Sequence, residues 1–149
     1  MEISDIVYGI TNRIDEIFPN INIYVESVEQ NMQTPCVFVK LVSFEHIQQI
    51  NKRWRVTPTF SIQYFPENGA LEASNANLKI QQGIDDIELI NGVKMLARAA
   101  RSENVDGPNG DVIGQNFARF DFFLQRIEDI PKMETFQQWV NKERVNNIV

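Results

Sequence analysis

One cysteine and one histidine are all that these 149 residues offer to redox or metal chemistry. With Cys36 alone there is no intramolecular disulfide, which excludes the disulfide frameworks of small secreted domains. A zinc site would have to join His46 to Cys36 and carboxylates, and the spacing suggests no such cluster. No run of about 18 apolar residues occurs, so no membrane span is expected. The opening MEISDI has acids where a signal peptide has bases, and no apolar segment follows it. Together these absences predict a protein kept in a reducing cytoplasm. Bases are scarce too, 14 against 20 acids, for a net charge of -6. That balance disfavours the concentrated basic face of a nucleic-acid footprint, and no sequence-specific nucleic-acid binding is expected.

What is present is an ordinary globular composition, 43% hydrophobic with 10 Phe. A chain of this length buries roughly 68–70% of its unfolded surface, enough for one stable core. Ile3, Ile6, Val7, Ile10, Ile14, Ile17 and Phe18 repeat at helical spacing and predict an amphipathic helix over 3–18, ended by Pro19. Residues 21–26 and 36–44 read as strands, the second rich in β-branched and aromatic residues. Between 53 and 65, Trp54, Val56, Pro58, Phe60, Ile62 and Tyr64 alternate with Arg53, Arg55, Thr57, Thr59, Ser61 and Gln63. Period two predicts a strand with one core face and one polar face. Pro58 lacks a ladder donor, which points to an edge strand or a bulge. Residues 46–52 read as a polar link closing a hairpin.

After the turn Pro66 to Gly69, a second helix is expected over 70–88, with Ala73, Ala76, Ile80, Ile84 and Ile87 on one face. Asn91-Gly92 is a tight-turn signal. Strands at 93–101 and 112–127 then form a hairpin whose tip is 102–111. The run Phe117 to Leu124 places phenylalanines on both strand faces. The prediction is an α+β fold: a largely antiparallel or mixed sheet of about five strands with two helices on one face. Residues 1–130 form the domain, and 131–149, with Met133, Phe136, Trp139 and Val140, form a C-terminal helix or arm.

No catalytic, cofactor or metal site emerges. His46 falls in a polar link and Cys36 opens a buried-looking strand. Gly107, Gly110 and Gly114 lie between strands and not before a helix, so they are turn residues and not a phosphate cradle. Asp106 and Asp111 do not follow a calcium-loop pattern. Asp85, Asp86 and Glu88 at a helix end read as a solvated acidic patch. The arginines are more informative. Arg53 and Arg55 share the outward face of one strand, Arg98 and Arg101 lie on the first hairpin strand, and Arg119 and Arg126 on the second. Two readings stand: cross-strand pairing with acids such as Asp121 and Glu128, or a subunit interface, where arginine is enriched. The candidate interface set is Arg53, Arg55, Arg98, Arg101, Asp106, Asp111, Arg119, Phe136 and Trp139.

The opening helix ISDIVYGITNRIDEIFP, the strands CVFVKLVSF and RWRVTPTFSIQYFP, the helix after PENG and the hairpin ending NFARFDFFLQR come in an order that carries a resemblance. Over roughly 1–128 the chain resembles the tail terminator (tail completion) proteins of tailed phages, in the short form found with contractile tails, prophages and phage-tail-like bacteriocins of Gram-positive bacteria. The resemblance implies a non-enzymatic structural subunit of a hexameric ring. Such a ring caps the tail tube, ends tube and sheath polymerisation and meets the neck or connector. Implied partners are further copies of the chain, the tube protein, the sheath protein and the neck protein. The implied location is the bacterial cytoplasm during assembly and then the particle's tail. Residues 131–149 have no place in the shared pattern. Other expectations left open are another head–tail joining or neck protein, and a small non-catalytic ligand-binding or regulatory domain.

Overall fold

A computed structural model of the chain describes residues 1–26, 33–107 and 110–125. The expectations placed on Phe136, Trp139, Arg126 and Glu128 lie outside them. Among the described residues there are two α-helices and seven strands: α1 (Ile3–Ile17), β1 (Asn22–Val25), β2 (Cys36–Gln48), β3 (Arg53–Phe65), α2 (Ala70–Gly83), β4 (Asp86–Glu88), β5 (Lys94–Asp106), β6 (Val112–Phe120) and β7 (Phe122–Gln125). Their order across the sheet is β1-β2-β3-β6-β5-β4, with β7 also on β3. Among the described strands only β1 and β2 pair parallel. The α+β class with a mixed sheet is as the sequence predicts. The strand count exceeds five because two short pieces, β4 and β7, escape a reading by period.

The core confirms the periodicities. Ile6, Ile10 and Ile14 of α1 are fully buried, and so are Ile80 and Ile84 at the end of α2. They close over Val37 and Val39 of β2, Val56, Phe60, Ile62 and Tyr64 of β3, and Ala118 and Phe120 of β6 in one cluster. Both helices therefore cover the same sheet face. Each such aliphatic side chain contributes roughly 1.5–3 kcal/mol by leaving water. Phe60 and Phe120 meet edge to face at 6.2 Å. Gly9 lets α1 approach β4, since a Cβ there would lie 3.1 Å from the Glu88 carbonyl oxygen.

Several expectations need correction. α2 stops at Gly83, and Asp86 to Glu88 turn extended to pair with β5. Asp86 does not crowd a helix end but holds α1: Arg13 Nε donates to its carbonyl at 3.1 Å and Arg13 Nη2 to its carboxylate at 3.3 Å. β2 runs on to Gln48, so His46 is strand and not link, stacked at 4.3 Å on Trp54. The actual turn is short and uses left-handed Asn51 and Lys52, a shape asparagine tolerates well. β3 is central, not an edge. The missing N–H of Pro58 falls where β6 has ended at Phe120 and β7 begins at Phe122. The single strand expected at 112–127 is thus broken in the middle, although both parts keep one register against β3. The hairpin tip expected at 102–111 does not begin until after Asp106, because β5 continues to that residue.

Beneath α2 the core is polar. Asn116, 1% exposed, donates from Nδ2 to the Ile62 carbonyl at 3.2 Å and to Asn77 Oδ1 at 2.9 Å. Its own Oδ1 accepts from Gln81 at 3.0 Å. Asn77 donates to Asn104, which donates to Ser74, at 2.9 and 2.8 Å. Gly114 makes room for this chain of amides, since a Cβ there would overlap the Asn77 amide group.

Candidate interface on the open sheet face

Residues that alternate with the core face project from the side of the sheet opposite the helices. On β3 these are Arg53, Arg55, Thr57, Thr59, Ser61 and Gln63. Register carries the same face to Lys40, Ser43, Glu45 and Ile47 of β2. It continues to Gln115, Phe117 and Arg119 of β6 and to Phe123 of β7, then to Arg101 and Glu103 of β5. Arg98 sits where the β5 register shifts and reaches Asp121 on this face. Five of the six arginines singled out from sequence, Arg53, Arg55, Arg98, Arg101 and Arg119, are therefore together. With Lys40 they make six bases against Glu45, Glu103 and Asp121, a local net of +3 on a chain of net -6.

Both readings of the arginines find support here. Arg98 does pair across the sheet, with Asp121. Asp121 fills the break between β6 and β7, where Thr57 Oγ1 also donates to it at 2.7 Å. Burial would raise this carboxyl, but the hydrogen bonds from Thr57 and Arg98 and the charges of Arg98 and Arg55 outweigh it and hold it below the ordinary carboxylate range. Two others lie against rings: Arg53 at 3.7 Å from the Phe123 centroid and Arg101 at 5.0 Å from that of Phe117. The Nε of Arg55 is buried without a hydrogen-bond partner among the described residues. Arginines stacked on aromatic faces stay charged and keep donors free, the composition of interface centres. A shallow depression of about 290 Å³ lies beside Thr59, Arg101, Phe117 and Arg119.

Asp106 and Asp111 are not part of this cluster. They flank the β5–β6 turn at the far end of the strands, where the Gly107 N–H donates to the Asp111 carbonyl at 2.5 Å. At the opposite end, the sequence reading missed an apolar surface. Val42, Phe44, Ile47 and Ile50 are 52%, 53%, 39% and 84% exposed, beside Phe123 at 47%. Phe44, opposite Pro58, is on the helix side and is left uncovered because β2 extends beyond the helices, whereas Ile47 and Phe123 flank Arg55 on the open face. Cys36 is fully buried, and burial pushes its thiol up, so it packs as a small apolar residue. Among the described residues no group of three or more His, Cys, Asp or Glu is arranged to hold a metal. No helix among them is long and apolar enough to cross a membrane.

The Asp121 node gives a pH prediction. A carboxylate held below its unfolded value of about 3.9 contributes its stability fully above that value. The contribution is lost as pH falls through the lower folded value. Urea unfolding between pH 5 and pH 2.5 should therefore show a steeper loss in the natural chain than in Asp121→Asn, by about 1 kcal/mol. Parallel pH profiles would show that the node carries no charge-dependent stability.

No curated protein matches the sequence. The family of the phage tail terminator protein matches over residues 5–132, which takes in all but the first two residues of α1, the whole of α2 and the seven described strands. The resemblance carried by the element order is thereby established: the chain belongs to the phage tail terminator protein family, a family of structural tail components.

Proposed function

We propose that the chain is the subunit of a homo-oligomeric ring, a hexamer, that caps the tail tube of a contractile phage tail or phage-tail-like bacteriocin. The ring ends tube and sheath polymerisation and offers its far surface to the neck. The observation that carries this reading is the open sheet face: five arginines and two partly uncovered phenylalanines on a sheet whose other face is closed by helices. Such a surface suits protein contact, and no enzymatic step is required of it. In this reading Arg53, Arg55, Arg98, Arg101 and Arg119 meet acidic surfaces of tail partners. Asp106 and Asp111 at the hairpin tip add a second contact point, and residues 131–149, with Phe136 and Trp139, are an arm that reaches a neighbour.

Deleting the gene should yield tubes of uncontrolled length in electron micrographs, and restoring it should return one length. The protein added to isolated tubes should appear as a ring at one end. Tubes of unchanged length with a monomeric protein would refute the reading. A ring located above the tube end and not on it would make the chain a neck component.

A further inference from the structure

Among the described residues the sheet has two long unpaired edges. β1 pairs with β2 only over Cys36–Val39, so among the described residues no strand covers β2 from Lys40 to Gln48. β4 pairs with β5 only over Lys94–Leu96, with one further bond from the Ala97 N–H to the Asp85 carbonyl. From Arg98 to Asp106, β5 is open in the same way. Val42 to Gln48 and Ala100 to Asn104 are exposed at every position. Unpaired strand edges of this length are templates for another strand.

We infer that these two edges are each other's partner, Lys40–Glu45 of one copy pairing antiparallel with Arg98–Glu103 of the next. The inference rests on the ring reading and specifies its subunit contact. Three observations converge on it.

The first is sense. β2/β3, β3/β6 and β6/β5 are all antiparallel, so β2 and β5 point in opposite directions on opposite sides of the sheet. A copy rotated about an axis along the strands brings its β2 beside β5 in the antiparallel sense. The contact joins two different surfaces, and a rotation that closes makes a ring.

The second is charge order. Setting Lys40 opposite Glu103 brings Glu45 beside Arg98, five residues along each strand. The parallel arrangement would set Lys40 against the arginines and Glu45 against Glu103. Opposite charges across strands stabilise and like charges oppose. The same charges guard each edge against indiscriminate pairing.

The third is stagger. Within one subunit Lys40 lies level with Arg101, through Ser61 and Phe117. Pairing with Glu103 of the neighbour shifts the strands by two residues, roughly 7 Å. An even shift keeps each face on its own side, and a closed sheet of tilted strands requires such a shift.

The test uses the full chain with tail tubes. Lys40→Cys and Glu103→Cys are combined in one chain, and each is also made alone. Cysteines directly opposed across two strands lie within disulfide reach. Mild oxidation should give a covalent ladder ending at the closed ring for the double variant only. Hydrogen exchange of the unsubstituted protein should slow at least tenfold on assembly for outward amides in 40–45 and 98–103. The ladder together with the protection is the expected result. A ring on the tube that lacks either one overturns the edge pairing while leaving the ring reading intact. Absence of any ring on the tube overturns both.

Discussion

Asn116→Leu should lower the unfolding free energy by roughly 3 kcal/mol, a large share of a typical domain's 5–15 kcal/mol. Leucine has the branched shape of asparagine and is bulkier, so a cavity is not the cause. The loss comes from the partners left behind. Asn77 Oδ1 and the Ile62 carbonyl each lose a donor, and the Gln81 amide loses its acceptor. Gln81 is half-exposed and can turn to water, but Asn77 is 5% exposed and cannot. A buried polar atom left unpaired costs about 1–3 kcal/mol. The damage should travel along the chain of amides. Asn77→Ala made in the same background should then cost less than it does alone, because part of its bonding is already lost. Urea denaturation of the two single variants and the double measures this coupling. Values for Asn116→Leu within 1 kcal/mol of the natural chain would show the network to be dispensable.

That network also marks a limit of reading by pattern. α1 and β3 were legible because each exposes one clean periodicity, with Ile6, Ile10 and Ile14 at helical spacing and the even positions of β3 inward. Asn116 occupies an inward position of β6, but a single polar residue there looks the same whether a helix satisfies it or water does. Only the placement of Asn77 across the helix–sheet contact distinguishes the two. β4 was lost inside the second helix because Ile84 and Ile87 fit a helical stripe and a short strand equally well. Its extended form is fixed by β5, a tertiary partner. The hairpin ends were misjudged for a related reason. Polar composition at 46–49 and 102–106 signals exposure, and an edge strand that overhangs the core is as exposed as a loop. The gathering of the arginines was legible only in part. Alternation placed Arg53 and Arg55 on one face, while bringing Arg98, Arg101 and Arg119 beside them required the strand order.

Reversing two of those arginines, Arg101→Glu with Arg119→Glu, should abolish assembly on the tube while leaving the subunit folded. Both side chains are exposed, so the fold should lose no more than about 1 kcal/mol, most of it the Arg101 contact with Phe117. The effect on association should be far larger. Four units of charge are exchanged on a face whose net is +3, turning it into one of net -1. Like charges brought together across an interface cost several kcal/mol, and about 2.8 kcal/mol already weakens association a hundredfold. The Arg101→Gln, Arg119→Gln pair separates attraction from repulsion: it removes the charge without inverting it and should weaken assembly less, with a shallower salt dependence. Native mass spectrometry with tubes present, together with tail lengths in micrographs, reads both outcomes. Should the glutamate pair assemble as the natural chain does, the open face would carry no contact, and the arginines would be left as ring-stacked cations that keep an uncovered sheet face soluble.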